Sequence, residues 1–158
     1  MTSDYAESMS AGPLAIGLRA LLPNARHFNP SEVGEIPICS GAYLLLMSLE
    51  EPVEVRFGKV AGAQLAAGDY VYAGNAGGPG GLRGRLARHM RNDKKPHWHV
   101  DQLTTVAETS ALALPGETEC ALVAHLLANE NFTTPLPGFG SSDCAVCESH
   151  LLRFTESG

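Results

Sequence analysis

Gly41-Ala42-Tyr43-Leu44-Leu45-Leu46-Met47-Ser48-Leu49, followed downstream by Tyr70-Val71-Tyr72-Ala73-Gly74-Asn75, is the pair of stretches whose reading decides the fold. Tyr43 to Met47 form an unbroken apolar run, the pattern of a buried strand. Glu50-Glu51-Pro52 supplies a turn, after which Val53, Val55 and Phe57 alternate with Glu54 and Arg56 at the period of a half-buried strand. Gly68-Asp69 turns the chain into a third strand over Tyr70 to Gly74. An antiparallel meander of these three segments is the simplest topology.

Outward from the tyrosine strands, the pattern becomes helical. Pro13 to Leu22 predicts a short helix ending at Pro23, and residues 24–40 read as a loop. Asn75-Ala76-Gly77-Gly78-Pro79-Gly80-Gly81 breaks both ladders and helices. Leu82, Leu86 and Met90 then recur at helical spacing and give the next helix a core face, with Arg85, Arg88 and His89 along one flank. A short strand over Leu112 to Leu114 precedes Pro115-Gly116, and a further helix carries Leu122, Val123, Leu126 and Leu127. From Pro135 the chain is irregular until a last strand over Leu151 to Phe154. The fold class is therefore α+β, a small antiparallel sheet flanked by helices in a single domain, with no internal repeat and no dividing linker.

Composition narrows the functional classes. With 158 residues, 44% of them hydrophobic, the chain has room for one domain with a real core. No apolar run approaches the roughly 20 residues needed to cross a bilayer. Met1 to Gly12 is polar and small and does not read as a secretory signal. Four cysteines (Cys39, Cys120, Cys144 and Cys147) suit free thiols or a metal site better than a disulfide scaffold, so a cytoplasmic protein is expected.

The formal net charge of −6 argues against a general nucleic-acid binder, but the distribution is uneven. Arg83, Arg85, Arg88, Arg91, Lys94 and Lys95 are six of the eleven basic residues, and His89, His97 and His99 lie in the same stretch. One basic face on an acidic body suits a localised phosphate contact. A solvated helix surface is the alternative.

Glu119 starts the stripe that continues through Leu122, Val123, Leu126 and Leu127, where a carboxylate is costly unless hydrogen-bonded, paired or bound to a metal. The other reading is an acid in a first helical turn, favoured by the macrodipole by about 0.3–1 kcal/mol. Arg85 and His89, four residues apart, are neighbours on a helix. The arginine can hold a phosphate in bidentate fashion, and the histidine can donate to the same oxyanion or relay a proton. Strand tyrosines are commonly core, yet a buried phenol needs a partner for its hydroxyl.

Two further segments carry metal-ligand or contact chemistry. Cys144-x-x-Cys147-x-x-His150, with Cys120 as a fourth group, offers zinc-type ligands but lacks a clear second pair. His97-Trp98-His99 reads as a tryptophan core anchor bordered by histidines, or as a contact of His97 or His99 with a nucleic-acid backbone.

In their order, Gly41-Ala42-Tyr43, Tyr72-Ala73-Gly74, Leu82-x-x-Arg85-x-x-x-His89 and Glu119-x-x-Leu122 resemble the signature of the GIY-YIG nucleases. Lys94-Lys95-Pro96-His97-Trp98-His99-Val100-Asp101 and Gly138-Phe139-Gly140-Ser141-Ser142-Asp143-Cys144 are similar to a branch of GIY-YIG-related domains without assigned function, found alone or fused to a base-excision glycosylase. The resemblance covers residues 38–154. It implies an N-terminal extension over 1–37 with a short helix, a GIY-YIG-like domain over 38–154 and a tail over 155–158.

The same resemblance implies hydrolysis of a DNA phosphodiester with one divalent cation. Glu119 would bind Mg²⁺ or Mn²⁺, and Tyr43 would take the proton of the attacking water. Tyr72 would position that water or the phosphate, Arg85 would stabilise charge on the phosphoryl oxygens, and His89 would support the phenolate or the phosphate. Arg83, Arg88, Arg91, Lys94, Lys95, His97 and His99 are the implied DNA-contacting set. A tyrosine base at neutral pH needs positive charge nearby, expected from Arg85, His89 and the metal. The chain departs from the nuclease pattern in the extra strand Val53 to Phe57, in alanine at the middle of both tyrosine motifs, and in an asparagine that Asn129 and Asn131 could equally supply. A nucleic-acid-binding module without catalysis and a zinc-stabilised interaction domain are the alternatives.

Overall fold

A computed structural model describes residues 12–56, 58, 60–95, 99–139 and 147–156. Its elements run α1 (Pro13–Leu21), β1 (Arg26–Phe28), a 3-10 turn (Pro30–Glu35), β2 (Gly41–Leu49), β3 (Val53–Glu54), β4 (Gln64–Leu65), β5 (Gly68–Ala76), α2 (Gly81–His89), α3 (Asp101–Thr104), β6 (Glu108–Pro115), α4 (Glu119–Leu127), β7 (Phe132–Thr133) and β8 (Leu151–Phe154). Six strands form one antiparallel sheet in the order β1-β6-β2-β5-β8-β7, flanked by helices, so the chain is α+β.

β2 lies centrally, paired along its whole length with β5 on one side and with β6 on the other. Because side chains alternate along a strand, β2 splits its apolar run between two faces. Tyr43, Leu45 and Met47 share one core with Tyr70 and Tyr72 of β5 and with Leu82, Leu86 and Met90 of the α2 region. Ala42, Leu44 and Leu46 share the other with Val71 and Ala73, Leu14 and Leu18 of α1, and Leu122, Val123 and Leu126 of α4. Both faces are covered, which is why the run is unbroken. The two alanines of the tyrosine motifs face the α1 and α4 side, where helices approach closely.

The meander is corrected in one respect. Val53-Glu54 does not join the main sheet but pairs with Gln64-Leu65 in a small hairpin of its own, extended by a bond from Val55 N–H to the Ala63 carbonyl. The inserted segment therefore sits between two strands that are direct neighbours, and Phe57 lies outside the described residues. The 24–40 region, read as a loop, contributes β1 to the sheet edge and the 3-10 turn. Its burial alternation is too short to register in sequence. β6 is longer than Leu112–Leu114, and Leu127 is exposed rather than core. α1 packs on the same sheet, so the described residues before position 38 share the core of the rest.

The register places Tyr43 opposite Gly74, and Leu45 opposite Tyr72. Cross-strand partners share a face, so the two tyrosines are diagonal neighbours beneath α2. Gly74 is required there, because a Cβ on it would run into the Tyr43 phenol. At the start of α2, Gly81 has φ +57° and lies against the Cys39 backbone, where a Cβ would come within 2.5 Å of the carbonyl oxygen. Leu82 N–H donates to that Cys39 carbonyl and Arg83 N–H to Pro37, which satisfies donors of the first turn and fixes the helix on the sheet. Among the described residues no helix is long and apolar enough to cross a membrane.

Gly74→Ala should destabilise the protein by about 1–3 kcal/mol through overpacking against Tyr43. Gly77→Ala, where a Cβ meets nothing within 4 Å, should change stability by about 0.5 kcal/mol or less. Urea unfolding of the two variants beside the parent checks both values.

Candidate active site

The site is built where β2, β5 and α2 meet. Tyr43 is fully buried, and its hydroxyl lies 2.9 Å from His89 Nε2 in a buried hydrogen bond. The two rings sit 5.4 Å apart between centroids. His89 is the last residue of α2, on the same buried stripe as Leu82 and Leu86. Nδ1 of His89 is 4.0 Å from Asp101 Oδ1. A proton on Nδ1, facing that carboxylate, leaves Nε2 as acceptor, so Tyr43 donates its O–H to it.

Asp101, at the start of α3, is buried and accepts two bonds from Arg88, from Nη1 at 2.9 Å and from Nη2 at 2.8 Å. Burial of a carboxylate demands such a partner. Lys94 reaches back to the C-terminal end of α2, where its Nζ donates to the carbonyls of Arg88 at 2.9 Å and His89 at 2.7 Å. These acceptors are the orphan carbonyls of the helix end, and the ammonium also complements the macrodipole.

Electrostatics sort the residues by role. Burial drives the His89 pKa down to about 3, helped by the positive charges of Lys94, Arg88 and Arg85 and opposed by Asp101. The imidazole is neutral at physiological pH. The expectation that it lends positive charge to Tyr43 is therefore corrected: it lends an acceptor nitrogen instead. Burial first, then the neighbouring Tyr72, pushes the Tyr43 phenol well above the ordinary tyrosine range, and Glu119 adds to this. Arg85 opposes the shift by its charge and by a side-chain hydrogen bond to Tyr43. Tyr72 is pushed up to about 12, chiefly by burial and then by Glu119 and Asp101, again against Arg85. Both phenols thus feel the same cation and the same carboxylate. Burial also lowers Lys94 to about 8.

Glu119 opens α4, after the Thr118 cap whose Oγ1 accepts from Ala121 N–H. Its side chain is 33% exposed, and Oε2 lies 4.0 Å from Nδ1 of His150. The His150 ring stands edge-on to Tyr72, with centroids 6.4 Å apart. Helix α4 packs on the opposite face of the sheet from α2, and the charge of Glu119 at its start still reaches both phenols. Leu151 pairs with Tyr72 as β8 begins, and Ala73 N–H donates to the His150 carbonyl.

The rest of the basic stretch divides. Arg83 donates from Nε to the Ile36 carbonyl at 2.8 Å. Arg88, placed by sequence in the DNA-contacting set, instead clamps Asp101, although its side chain is 29% exposed. Lys94 caps α2 internally. Arg91 and Lys95 are exposed. His99 is half-buried against Phe139, with ring centroids 5.9 Å apart. His97 lies outside the described residues, as does Cys144. Cys120, Cys147 and His150 do converge, with one ligand atom from each lying within 4.8 Å of the others. The residue that sequence reasoning passed over is Asp101. Its only local signal was an acid after His97-Trp98-His99, and its partner Arg88 lies thirteen positions earlier.

Because the folded protein holds His89 near a pKa of about 3 while the unfolded chain protonates it near 6.5, stability is complete above that pH. It is lost as the pH falls, by up to about 1.4 kcal/mol per pH unit between those values. Denaturant midpoints measured from pH 7.5 down to pH 4 should show a shallower decline in His89→Gln, which keeps a neutral partner for Tyr43. Identical slopes in parent and variant would exclude His89 as the group responsible.

One protein family, described as a domain of unknown function, DUF123, matches residues 42–158. No protein of curated function and no solved structure matches the chain. The matched span takes in both tyrosine strands, α2, Asp101 and α4, and the chain belongs to the DUF123 family.

Proposed function

We propose that the protein is a metal-dependent endonuclease of the GIY-YIG type that hydrolyses DNA phosphodiester bonds. The observation that carries this reading is that two phenols on neighbouring strands feel the same guanidinium and the same carboxylate, with a neutral imidazole hydrogen-bonded to one phenol. The order of the motifs along the chain supports it, and so does membership of DUF123, which we read as related to the GIY-YIG nucleases.

The residues present suit a hard divalent cation at Glu119. A partly exposed carboxylate is the kind of donor that Mg²⁺ takes while it keeps several waters and meets substrate phosphate. When bound, Mg²⁺ or Mn²⁺ supplies positive charge against the charge that builds on the phosphoryl oxygens and leaving group. The protein's own groups do the rest. Tyr43 donates its O–H hydrogen bond to His89 Nε2, so the phenol oxygen is free to accept a hydrogen bond from the attacking water. As the water attacks phosphorus, its proton passes to Tyr43 while the phenol proton moves to His89, and the bond to the leaving oxygen breaks. Asp101 facing Nδ1 stabilises the imidazolium that forms. Arg85 holds the phosphate and stabilises its developing charge. Tyr72 positions the water or the phosphate from the next strand. Arg91 and Lys95 offer exposed charge for the DNA backbone.

A second reading, a DNA-binding module without catalysis, draws on the upward shift of both phenols, which makes them weak bases on their own. One experiment separates the two. Purified protein should nick supercoiled plasmid or cleave branched or single-stranded DNA with Mg²⁺ or Mn²⁺. Glu119→Gln, Arg85→Ala and Tyr43→Phe should each lower the rate by about 100-fold or more with folding retained. Unchanged rates in Glu119→Gln and Arg85→Ala would sink the site. Salt-sensitive binding with no cleavage across the panel would favour the module.

A further inference from the structure

Three metal-ligand side chains meet near Tyr72, whose ring lies 6.4 Å from that of His150 between centroids. Cys120 is the second residue of α4, while Cys147 and His150 lie in the segment that leads into β8. Their ligand atoms fall within 4.8 Å of one another, and Glu119 is not among them. Both cysteines are half-buried, and His150 is buried at 5% exposure. Nδ1 of His150 faces Glu119, and Nε2 is buried without a hydrogen-bond partner among the described residues. A buried ring nitrogen left in this state is costly unless something binds it. The His150 backbone is fixed on both sides, its N–H donating to the Phe139 carbonyl and its carbonyl accepting from Ala73 N–H. The ring is therefore held in place and is not a surface group that happens to drift near two thiols.

We propose that Cys120, Cys147 and His150 form a zinc site that fastens the segment before β8 to the start of α4, beside Glu119 and Tyr72. The donor chemistry selects the metal: two thiolates and an imidazole are a zinc set, whereas the oxygen donor at Glu119 suits a hard cation. Zinc bonds of about 2.0–2.3 Å hold tetrahedral ligand atoms about 3.3–3.8 Å apart, so closure from a spacing within 4.8 Å needs at most about 1–1.5 Å of contraction. Nε2 takes the metal, and Nδ1–H turns towards the Glu119 carboxylate, the arrangement in which an acid orients a ligating histidine. Binding displaces two thiol protons to solvent as two sulfur–zinc bonds form. Among the described residues the set is three ligands, and water can complete the tetrahedron. This site rests on its own geometry and does not require that the protein cut DNA.

The test uses the full chain, reduced, loaded with Zn²⁺ and freed of excess metal. Elemental analysis should give one zinc per chain, and Co²⁺ in its place should show a thiolate-to-cobalt charge-transfer band. Cys147→Ser and His150→Ala should each lose the bound zinc. Should those variants fail to fold, alkylation of the parent chain decides: zinc should protect Cys120 and Cys147 while exposed Cys39 reacts as before. A stoichiometry far below one with no thiolate band, or equal alkylation of Cys120 and Cys147 with and without zinc, overturns the proposal.

Discussion

The buried hydrogen bond between Tyr43 and His89 ties the central strand to the helix laid over it, and most local choices around the site serve that contact. Gly74 leaves room for the phenol on the neighbouring strand. Gly81 lets α2 approach the Cys39 backbone closely enough for His89 to arrive above Tyr43. Lys94 caps the end of the helix at the histidine itself, and Asp101 stands behind the imidazole. A buried phenol without this partner would leave its O–H with no acceptor in the core.

The charges around that contact do opposing work. Burial and Lys94 keep His89 neutral, so the pair can exist in the core without an isolated ion. Arg88 neutralises Asp101, the one fully buried carboxylate among the described residues. Arg85 and Glu119 then act on both phenols with opposite signs. A purely structural core has little use for a cation and an acid beside two tyrosines, and such conflicts concentrate at functional sites. Surface charge elsewhere in the basic stretch is less unified than its spacing suggests, since Arg83, Arg88 and Lys94 are engaged in holding α2 and Asp101 in position.

Much of the architecture was legible from residue pattern. The tyrosine strands, α1, α2, α4 and the last strand all follow apolar periodicities that the core enforces. The three-strand meander was misread because Val53 to Phe57 alternates correctly for a half-buried strand, and alternation does not reveal the partner. β1 and β7 are too short to carry a period. Leu127 falls on the helical stripe in sequence but is exposed at the last turn, while Leu122, Val123 and Leu126 are buried. At the site, Tyr43, Tyr72, Arg85, His89 and Glu119 were named from spacing and motif order. The roles of His89 and Arg88 were not readable, because burial and a partner from α3 set them. Asp101 was missed for the same reason.

The sequence by itself determined which residues could be chemical, since a helix period makes Arg85 and His89 neighbours and strand alternation separates Tyr43 from Ala42 without reference to the rest of the chain. It also determined that the strand through Tyr43 is buried on both faces. Tertiary structure alone decided that β2 pairs directly with β5 around a separate small hairpin, that the histidine is neutral and faces a phenol, and that an acid from one helix and a histidine before the last strand meet beside Tyr72. The reason is physical: periodicity is a local property of the backbone, while desolvation, pairing and charge depend on which distant groups exclude water from a site.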